Sequence, residues 1–470
     1  MPRIAIIGAG SMVFSRNVIA DILAWDALQD SHFALMDVDE ERLRVAGAMA
    51  QSIIATRGAS ATVETTLDRR VAVAGADYVI NTVGVGGFAA TQTDFGVPEQ
   101  FGVRQVIADT LGIGGIFRSL RSIPVVLEMC RDIEELAPDA QLLTYTNPMA
   151  THVLAITRAT QVKVIGLCHG VRYTRGRMIM LATLAEMDPA ELDELLHGYD
   201  PHEPHGTRFA AFHHSFAHDE HPEVETLAAG INHMAAFLTF RRDGEDLYPL
   251  LDKACENPAI RQLEEVRLDL YKRLGYFFTE TSGHISEYLP WYLHSDDEIR
   301  RVRLRPRAYL RTCENLEQTF AEYQRKLETG EPFVEPGAPL SIEYASRIIN
   351  AMETGEPYEF NGNLHNRGGE LISNLPGDCC VEVRCVADHD GIRPNWSGEL
   401  PPQCAAMVRT NINVQDLVVQ AVLEENRNHV YHAAMFDPNT AATLTLPKIY
   451  ELVDAMIEAH GELMPAFLRA

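Results

Sequence analysis

A short apolar run, Ile4 to Ile7, breaks at Gly8-Ala9-Gly10 and gives way to a helical pattern. This junction constrains the chain more than any other feature. Phe14, Val18, Ile19, Ile22 and Leu23 fall on one face of the helix that follows. A strand feeding a Gly-x-Gly turn and then a helix suits a dinucleotide pyrophosphate. The glycines let the backbone approach closely, and the helix N-terminus presents free N–H groups and the positive end of its dipole. The third glycine of the full fingerprint is absent, because position 13 is Val. Gly8, Gly10, Ser11 and Met12 are the contacts expected here.

Two further segments repeat the theme. His32 to Met36 reads as a second strand with Asp37 at its end, 27 positions beyond Gly10. The usual interval to such an acid is about 20. A carboxylate there accepts hydrogen bonds from ribose hydroxyls and repels a 2′-phosphate, which favours NAD over NADP. A third strand, Asp77 to Val83, runs into Gly84-Val-Gly86-Gly87, and Val83 and Gly84 are expected to face the cofactor. A nucleotide-free α/β domain with tight turns is the plain alternative.

Strand and helix signals alternate to about residue 170, and Val164 to Leu167 reads as the strand closing this half. At about 150 residues per domain, 470 residues suggest two or three domains. The pattern predicts an α/β fold, with an N-terminal Rossmann-like doubly wound sheet over 1–195. A mixed α+β domain over 196–470 would carry substrate, metal and oligomerisation contacts, with the site in the crevice between. Residues 181–200 read as helix, Pro break and helix, with Asp188 capping the second. The next stretch, 197–221, holds seven of the 18 histidines. Its irregular spacing and its prolines predict a solvated excursion with strand character rather than a metal tract. Beyond it, helices are expected near 257–275, 340–353, 414–430 and Leu446–Leu468, with a strand at Cys380–Arg384.

Composition narrows the partners. A formal net charge of −26 repels nucleic-acid phosphates and anionic membranes, so neither is expected as a partner. No apolar run reaches the roughly 18 residues of a membrane span. The eight cysteines show no zinc-site or secreted-scaffold spacing, and no leader precedes the first strand. A cytoplasmic location with reduced thiols follows as an expectation.

Four short segments carry chemistry: Asp109-Thr-Leu-Gly112-Ile-Gly114-Gly115 with Arg118 and Arg121 after it, Thr146-Asn147-Pro148, Cys168-His169-Gly170, and Gly230-Ile-Asn232-His233-Met234. Taken singly, each has a plain reading: a buried cysteine, a core histidine, an Asn-Pro turn. Taken in order, with GAGS at 8–11, NLPGD at 374–378 and FDPNTAAT at 436–443, they make the chain resemble glycoside hydrolase family 4. The resemblance covers nearly the whole chain. It is nearest to the branch of α-galactosidases, α-glucosidases and α-galacturonidases, in which CH follows the strand.

That resemblance implies a glycosidase without the usual pair of flanking carboxylates. The cofactor is NAD, which oxidises C3 of the sugar. C2 is then deprotonated, the leaving group is eliminated, water adds and the hydride returns. The second cofactor is a divalent ion, Mn²⁺ or another, held by Cys168 and His233. These two are 65 positions apart, so the histidine-rich stretch resembles an insertion. It leaves His213 and His214 as alternatives, although GINHM favours His233. By the same resemblance His169 is the acid, and Asn147, Asp109 and Arg118 contact the α-glycoside. The C2 base is Tyr288 or Tyr276, and the assembly is a homodimer or homotetramer. Arg104, Arg118 and Arg384 are candidates to hold a uronate carboxylate. The competing reading is an NAD-dependent dehydrogenase of a sugar or hydroxy acid with net oxidation; a cofactor-binding sensor without turnover is a third.

Overall fold

Ile4, Ala5, Ile6 and Ile7 are almost fully buried, as a parallel strand covered on both faces requires. They form β1 (Arg3–Ile7), an interior strand of the sheet. In this computed structural model residues 1–199, 208–218 and 221–469 are described. β1 pairs in parallel with β2 (His32–Met36) on one side and β4 (Tyr78–Asn81) on the other. β3 (Thr62–Thr66), β5 (Gln141–Thr144) and β6 (Lys163–Leu167) continue outward in the same sense. Strand order reverses between β1 and β4, so connections leaving opposite faces open a crevice at the strands' carboxyl ends.

The helices that shape this crevice are α1 (Met12–Ile22), α2 (Glu40–Arg57), α3 (Gly112–Leu136) and α4 (Gly170–Glu186), joined from the second half by α5 (Ala308–Thr329). That second half also has an antiparallel sheet of β7 (Val224–Ala229), β8 (Ala236–Arg242) and β9 (Glu245–Asp246). β6 does not close the large sheet. β10 (Tyr358–His365) pairs with it antiparallel, and β11 (Cys380–Asp388) and β12 (Gly391–Pro394) follow, giving nine strands. One buried cluster runs from Ile4 to Ile412, so the halves share a core. Among the described residues, no helix is long and apolar enough to cross a membrane.

Several expected elements are redrawn by packing. The stretch 208–218 is a helix, not a strand. Phe209, Phe212 and Phe216 recur at helical spacing, with ring centroids 6.4 and 4.9 Å apart. His202 and His205 lie outside the described residues, as do the side chains of His214 and His218. The helix expected at 257–275 splits into Pro258–Arg261 and Glu265–Leu274, because Glu264 leaves helical geometry to meet two buried arginines. The one expected at 414–430 straddles Pro402–Leu423 and Arg427–Phe436. Left-handed Glu425 ends the first, and the Asn426 side chain caps the second. The last helix stops at His460 before Gly461, with Ala466–Arg469 beyond a short turn. Asp188 caps its helix through the Ala190 N–H, as its position before Pro189 implies.

Candidate active site

The first Gly-rich turn wraps tightly against its neighbours. Gly8 has φ +88°, and a Cβ there would come within 2.8 Å of the Thr82 carbonyl carbon. Thr82 Oγ1 donates to the Gly8 carbonyl at 2.9 Å, tying the two Gly-rich loops together. Gly10 donates its N–H to Asp37 Oδ2 at 2.7 Å. A cavity of about 400 Å³ lies over these loops, lined by Gly8, Gly10, Ser11, Asp37, Val83 and Gly84 among others. Met12 begins α1, but its side chain turns into the core instead. A close-fitting glycine cradle, a helix N-terminus and an acid at the end of β2 fit a dinucleotide.

The second half of the site gathers at the end of β6. Cys168 Sγ lies 3.3 Å from His233 Nε2 and 3.8 Å from Glu280 Oε1, and His233 Nε2 lies 3.9 Å from that same oxygen. One donor atom from each residue therefore falls within 4.8 Å of the others. His233 is reached through a left-handed backbone, φ 65°, in a loop anchored where Gly230 bridges Glu382 of β11. Gly170 leaves room for Glu280: a Cβ there would force its carboxylate to shift.

The charge states suit a cation. Burial pushes the His233 imidazole down to about 4, so it stays neutral and able to ligate. Burial disfavours the Glu280 carboxylate, but His233, His284 and His169 outweigh it and hold it near 2. Burial, with Glu280 and Glu382 nearby, raises the Cys168 thiol well above its ordinary value. A buried thiol beside carboxylates needs a compensating positive charge before it ionises. Sulfur, imidazole and carboxylate together fit a borderline divalent ion.

Around this set lie the other expected residues. Tyr288 is fully buried with its hydroxyl 3.4 Å from His233 Nδ1. Tyr276 is half-buried against the core, and among the described residues no hydrogen bond or ring contact joins it to Cys168, His233 or Glu280. Asn147 Nδ2 donates to Asp109 Oδ2 at 3.3 Å, while Arg118 Nε donates to the Asn147 carbonyl at 3.2 Å. Asn147 Oδ1 remains buried without a hydrogen-bond partner, an acceptor suited to a sugar hydroxyl. Arg104 pairs with Asp296, and Arg384 donates to the Thr226 carbonyl, so of the three arginines Arg118 stands beside the sugar-facing groups. His213 meets Tyr173 instead of the donor set.

His169 Nδ1 lies 3.0 Å from Glu343 Oε1. Burial alone would lower this imidazole, but the hydrogen bond and charge of Glu343 prevail and raise it to about 9. Sequence reading missed Glu343, a single acid in Ser341-Ile-Glu343-Tyr344 with no local signal. It also missed Glu280 as a donor, although Glu280 lies between the two expected base candidates, Tyr276 and Tyr288. Glu287 accepts from the N–H groups of Val106, Ile107 and Ala108 at 2.7, 3.0 and 2.9 Å, and so shapes the loop leading to Asp109.

Comparison with known proteins identifies the family. The chain is 38% identical over 471 residues to an α-galactosidase of Bacillus subtilis (strain 168), covering 99% of this chain and all of that protein. It is 34% identical to an α-galactosidase of Rhizobium meliloti (strain 1021), covering all of this chain and 90% of the other. A 6-phospho-α-glucosidase from gut microorganisms, crystallised with NAD and Mn²⁺, shares the fold. Its TM-score is 0.76 at 20% identity, over 98% of both chains. Residues 3–184 match the model of family 4 glycosyl hydrolases and residues 228–440 that family's C-terminal domain, so the chain belongs to the family 4 glycosyl hydrolases.

Proposed function

We propose that this protein hydrolyses α-galactosides through reversible oxidation of the sugar, with NAD in the cleft over Gly8–Ser11 and Mn²⁺ on Cys168, His233 and Glu280. The observation that carries the reading is the convergence of those three donors beside Tyr288 and His169. The full-length identity to α-galactosidases supports the choice of sugar. When bound, the nicotinamide supplies a hydride sink for C3, and the cation draws electron density from the C2 and C3 oxygens.

The chain's own residues do the rest. Asn147 and Asp109 orient the sugar hydroxyls, and Arg118 holds the Asn147 carbonyl in place. The Tyr288 oxygen accepts the C2 proton. Burial and the Glu287, Asp109 and Glu280 charges oppose its ionisation, so this role needs a positive charge nearby. His169, held protonated by Glu343, donates to the departing glycosidic oxygen. The division near residue 195 is then functional: 1–195 supplies cofactor loops, thiol and acid, while 196–470 supplies imidazole, carboxylate and base. The eight free cysteines suit a cytoplasmic setting. Exposed Phe436, Leu446 and Tyr450 offer an apolar face for a homodimer or homotetramer.

A panel of p-nitrophenyl α-galactoside, α-glucoside and α-galacturonide, with catalytic NAD, Mn²⁺ and reductant, tests the reading. The galactoside is expected to be cleaved fastest without accumulation of NADH. NADH appearing mole for mole with product would refute it in favour of a dehydrogenase. Preference for the galacturonide would keep the mechanism and overturn the sugar.

A further inference from the structure

The adenosine end of the cofactor cleft holds two opposed charges. Asp37 accepts from the Gly10 N–H at 2.7 Å and from the Asp39 N–H at 3.0 Å. Arg42 of α2 lines the same cavity, with Nη1 3.4 Å from the Gly10 carbonyl oxygen. In nucleotide folds of this kind, an acid at the end of β2 selects a free ribose, whereas a nearby arginine accommodates a 2′-phosphate. This cleft has both, so Asp37 alone does not decide between the two cofactors.

What separates them is a residue from the other half of the chain. Arg42 Nη2 donates to both carboxylate oxygens of Glu317 at 2.7 and 2.9 Å, and its guanidinium lies over the Phe320 ring, 4.6 Å from the centroid. Glu317 and Phe320 belong to α5, and Gln324 of the same helix donates to Glu41 at 2.9 Å. We propose that Glu317 sets cofactor choice. By occupying the fork of Arg42 it withholds the cation that a 2′-phosphate needs, leaving the cleft selective for NAD over NADP. The proposal rests on reading this cavity as a dinucleotide site.

Glu317 is held where this role requires it. The N-terminal end of α5 is tied to the loop before Asp109: Arg307 N–H donates to the Gln105 carbonyl at 2.8 Å, and Tyr309 N–H to the Val106 carbonyl at 3.1 Å. That loop is itself gripped by Glu287. Glu317 lies two turns along the helix from Tyr309, about 12 Å at 1.5 Å per residue. The Arg42 and Glu317 side chains are 28% and 51% exposed, so the pair adds little to stability. Its two-pronged geometry and the stacked ring fix orientation, which matters for what the guanidinium can bind.

Full-length protein, Glu317→Gln, Glu317→Ala and the double variant Arg42→Ala/Glu317→Gln are titrated with NADH and NADPH, following nicotinamide fluorescence. NADPH is expected to bind about tenfold tighter to both single variants than to the parent, the lower end of what one hydrogen bond to a charged group contributes. NADH affinity changes by less than about threefold, because the exposed ion pair is weak. The double variant loses the gain. Unchanged NADPH binding, or equal shifts for both nucleotides, overturns the role of Glu317 while leaving the cleft as a dinucleotide site. A parent protein that binds neither nucleotide overturns that site and the inference with it.

Discussion

Replacing Gly170 by Ala probes the donor set with one methyl group. Gly170 opens α4 directly after Cys168 and His169, and its Cα faces Glu280. A Cβ there would overlap Glu280 Oε1 and stand 3.0 Å from its Cδ and 3.3 Å from Cys168 Sγ. Glu280 has no easy retreat, being 7% exposed and drawn to His233 at 3.9 Å and His284 at 3.7 Å. Two effects on stability oppose each other. Ala is better than Gly in a helix by about 0.5–1 kcal/mol, and overpacking costs about 1–3 kcal/mol. The net loss is about 0–2.5 kcal/mol, modest against a total of roughly 5–15 kcal/mol. The cation is far less forgiving, because ligand distances tolerate only about ±0.2 Å. Losing a supporting partner of a metal ligand already costs about 10–100-fold in affinity, and displacing a ligand itself should cost at least about 100-fold. Calorimetric Mn²⁺ titration, thermal melting of the same samples and galactoside hydrolysis at saturating NAD separate the two effects. A folded variant with parental Mn²⁺ affinity would remove Glu280 from the donor set.

Cys168→Ser keeps the volume of the side chain but exchanges a soft donor for a poor one. Mn²⁺ affinity should fall by at least about tenfold with near-UV circular dichroism unchanged, and equal affinity in both proteins would exclude the thiol. The His169 imidazolium is stabilised by Glu343, so the acid form and the stability it contributes are fully present below the ordinary value of about 6.5. Both are lost as pH rises through about 9. In Glu343→Gln, burial is opposed by the Glu280 charge without the help of Glu343, and the alkaline limb of the kcat profile should move acidward by at least about one unit; an unmoved limb would assign it to another group. Glu264→Ala strands Arg177 and Arg267, 8% and 0% exposed, and should cost about 3–5 kcal/mol in urea unfolding. A loss below about 1 kcal/mol would mean that water reaches the two guanidinium groups.

Local patterns were legible where neighbouring residues settle the outcome. β2 has the bounds read from its apolar run, and the glycine cradle forms where Gly8 and Gly10 predict it, because strand propensity and φ freedom are local properties. The meeting of Cys168 and His233 is different in kind. Nothing in a 65-residue gap brings two side chains to 3.3 Å; that pairing came from likeness to a family. Glu280 shows the limit. It shares a 14-residue segment with Glu287, yet one carboxylate turns to the thiol and the other to the backbone of residues 106–108. Which acid faces which partner depends on how the 275–288 segment crosses the crevice. The link between Arg42 and Glu317 joins residues 275 apart and was equally invisible. Of the added strands, β11 was legible in part, at Cys380–Arg384, but β10, β12 and their place on the sheet were not, because an antiparallel edge added to a parallel sheet leaves no periodic signature.

The distribution of buried acids bears on why such a site would work through oxidation. A conventional glycosidase sets one carboxylic acid and one carboxylate across the scissile bond, and their separation predicts the stereochemical outcome. Here five acids are buried around the crevice: Asp109, Glu280, Glu287, Glu343 and Glu382. Each is already engaged. Asp109 receives Thr110 and Asn147, Glu280 faces the thiol and imidazole, and Glu287 caps three backbone N–H groups. Glu343 holds His169, and Glu382 takes the Asn363 amide. In the proposed reading the protonated group facing the leaving oxygen is the His169 imidazolium, and the group beside the donor set is Tyr288. Neither is a carboxylate able to attack C1 directly. Proton removal next to an oxidised carbon asks for a base near a cation and an acid near the aglycone, the roles proposed above for Tyr288, beside His233, and for His169. On that reading the configuration at C1 is set by the face from which water adds after elimination, not by a carboxyl separation.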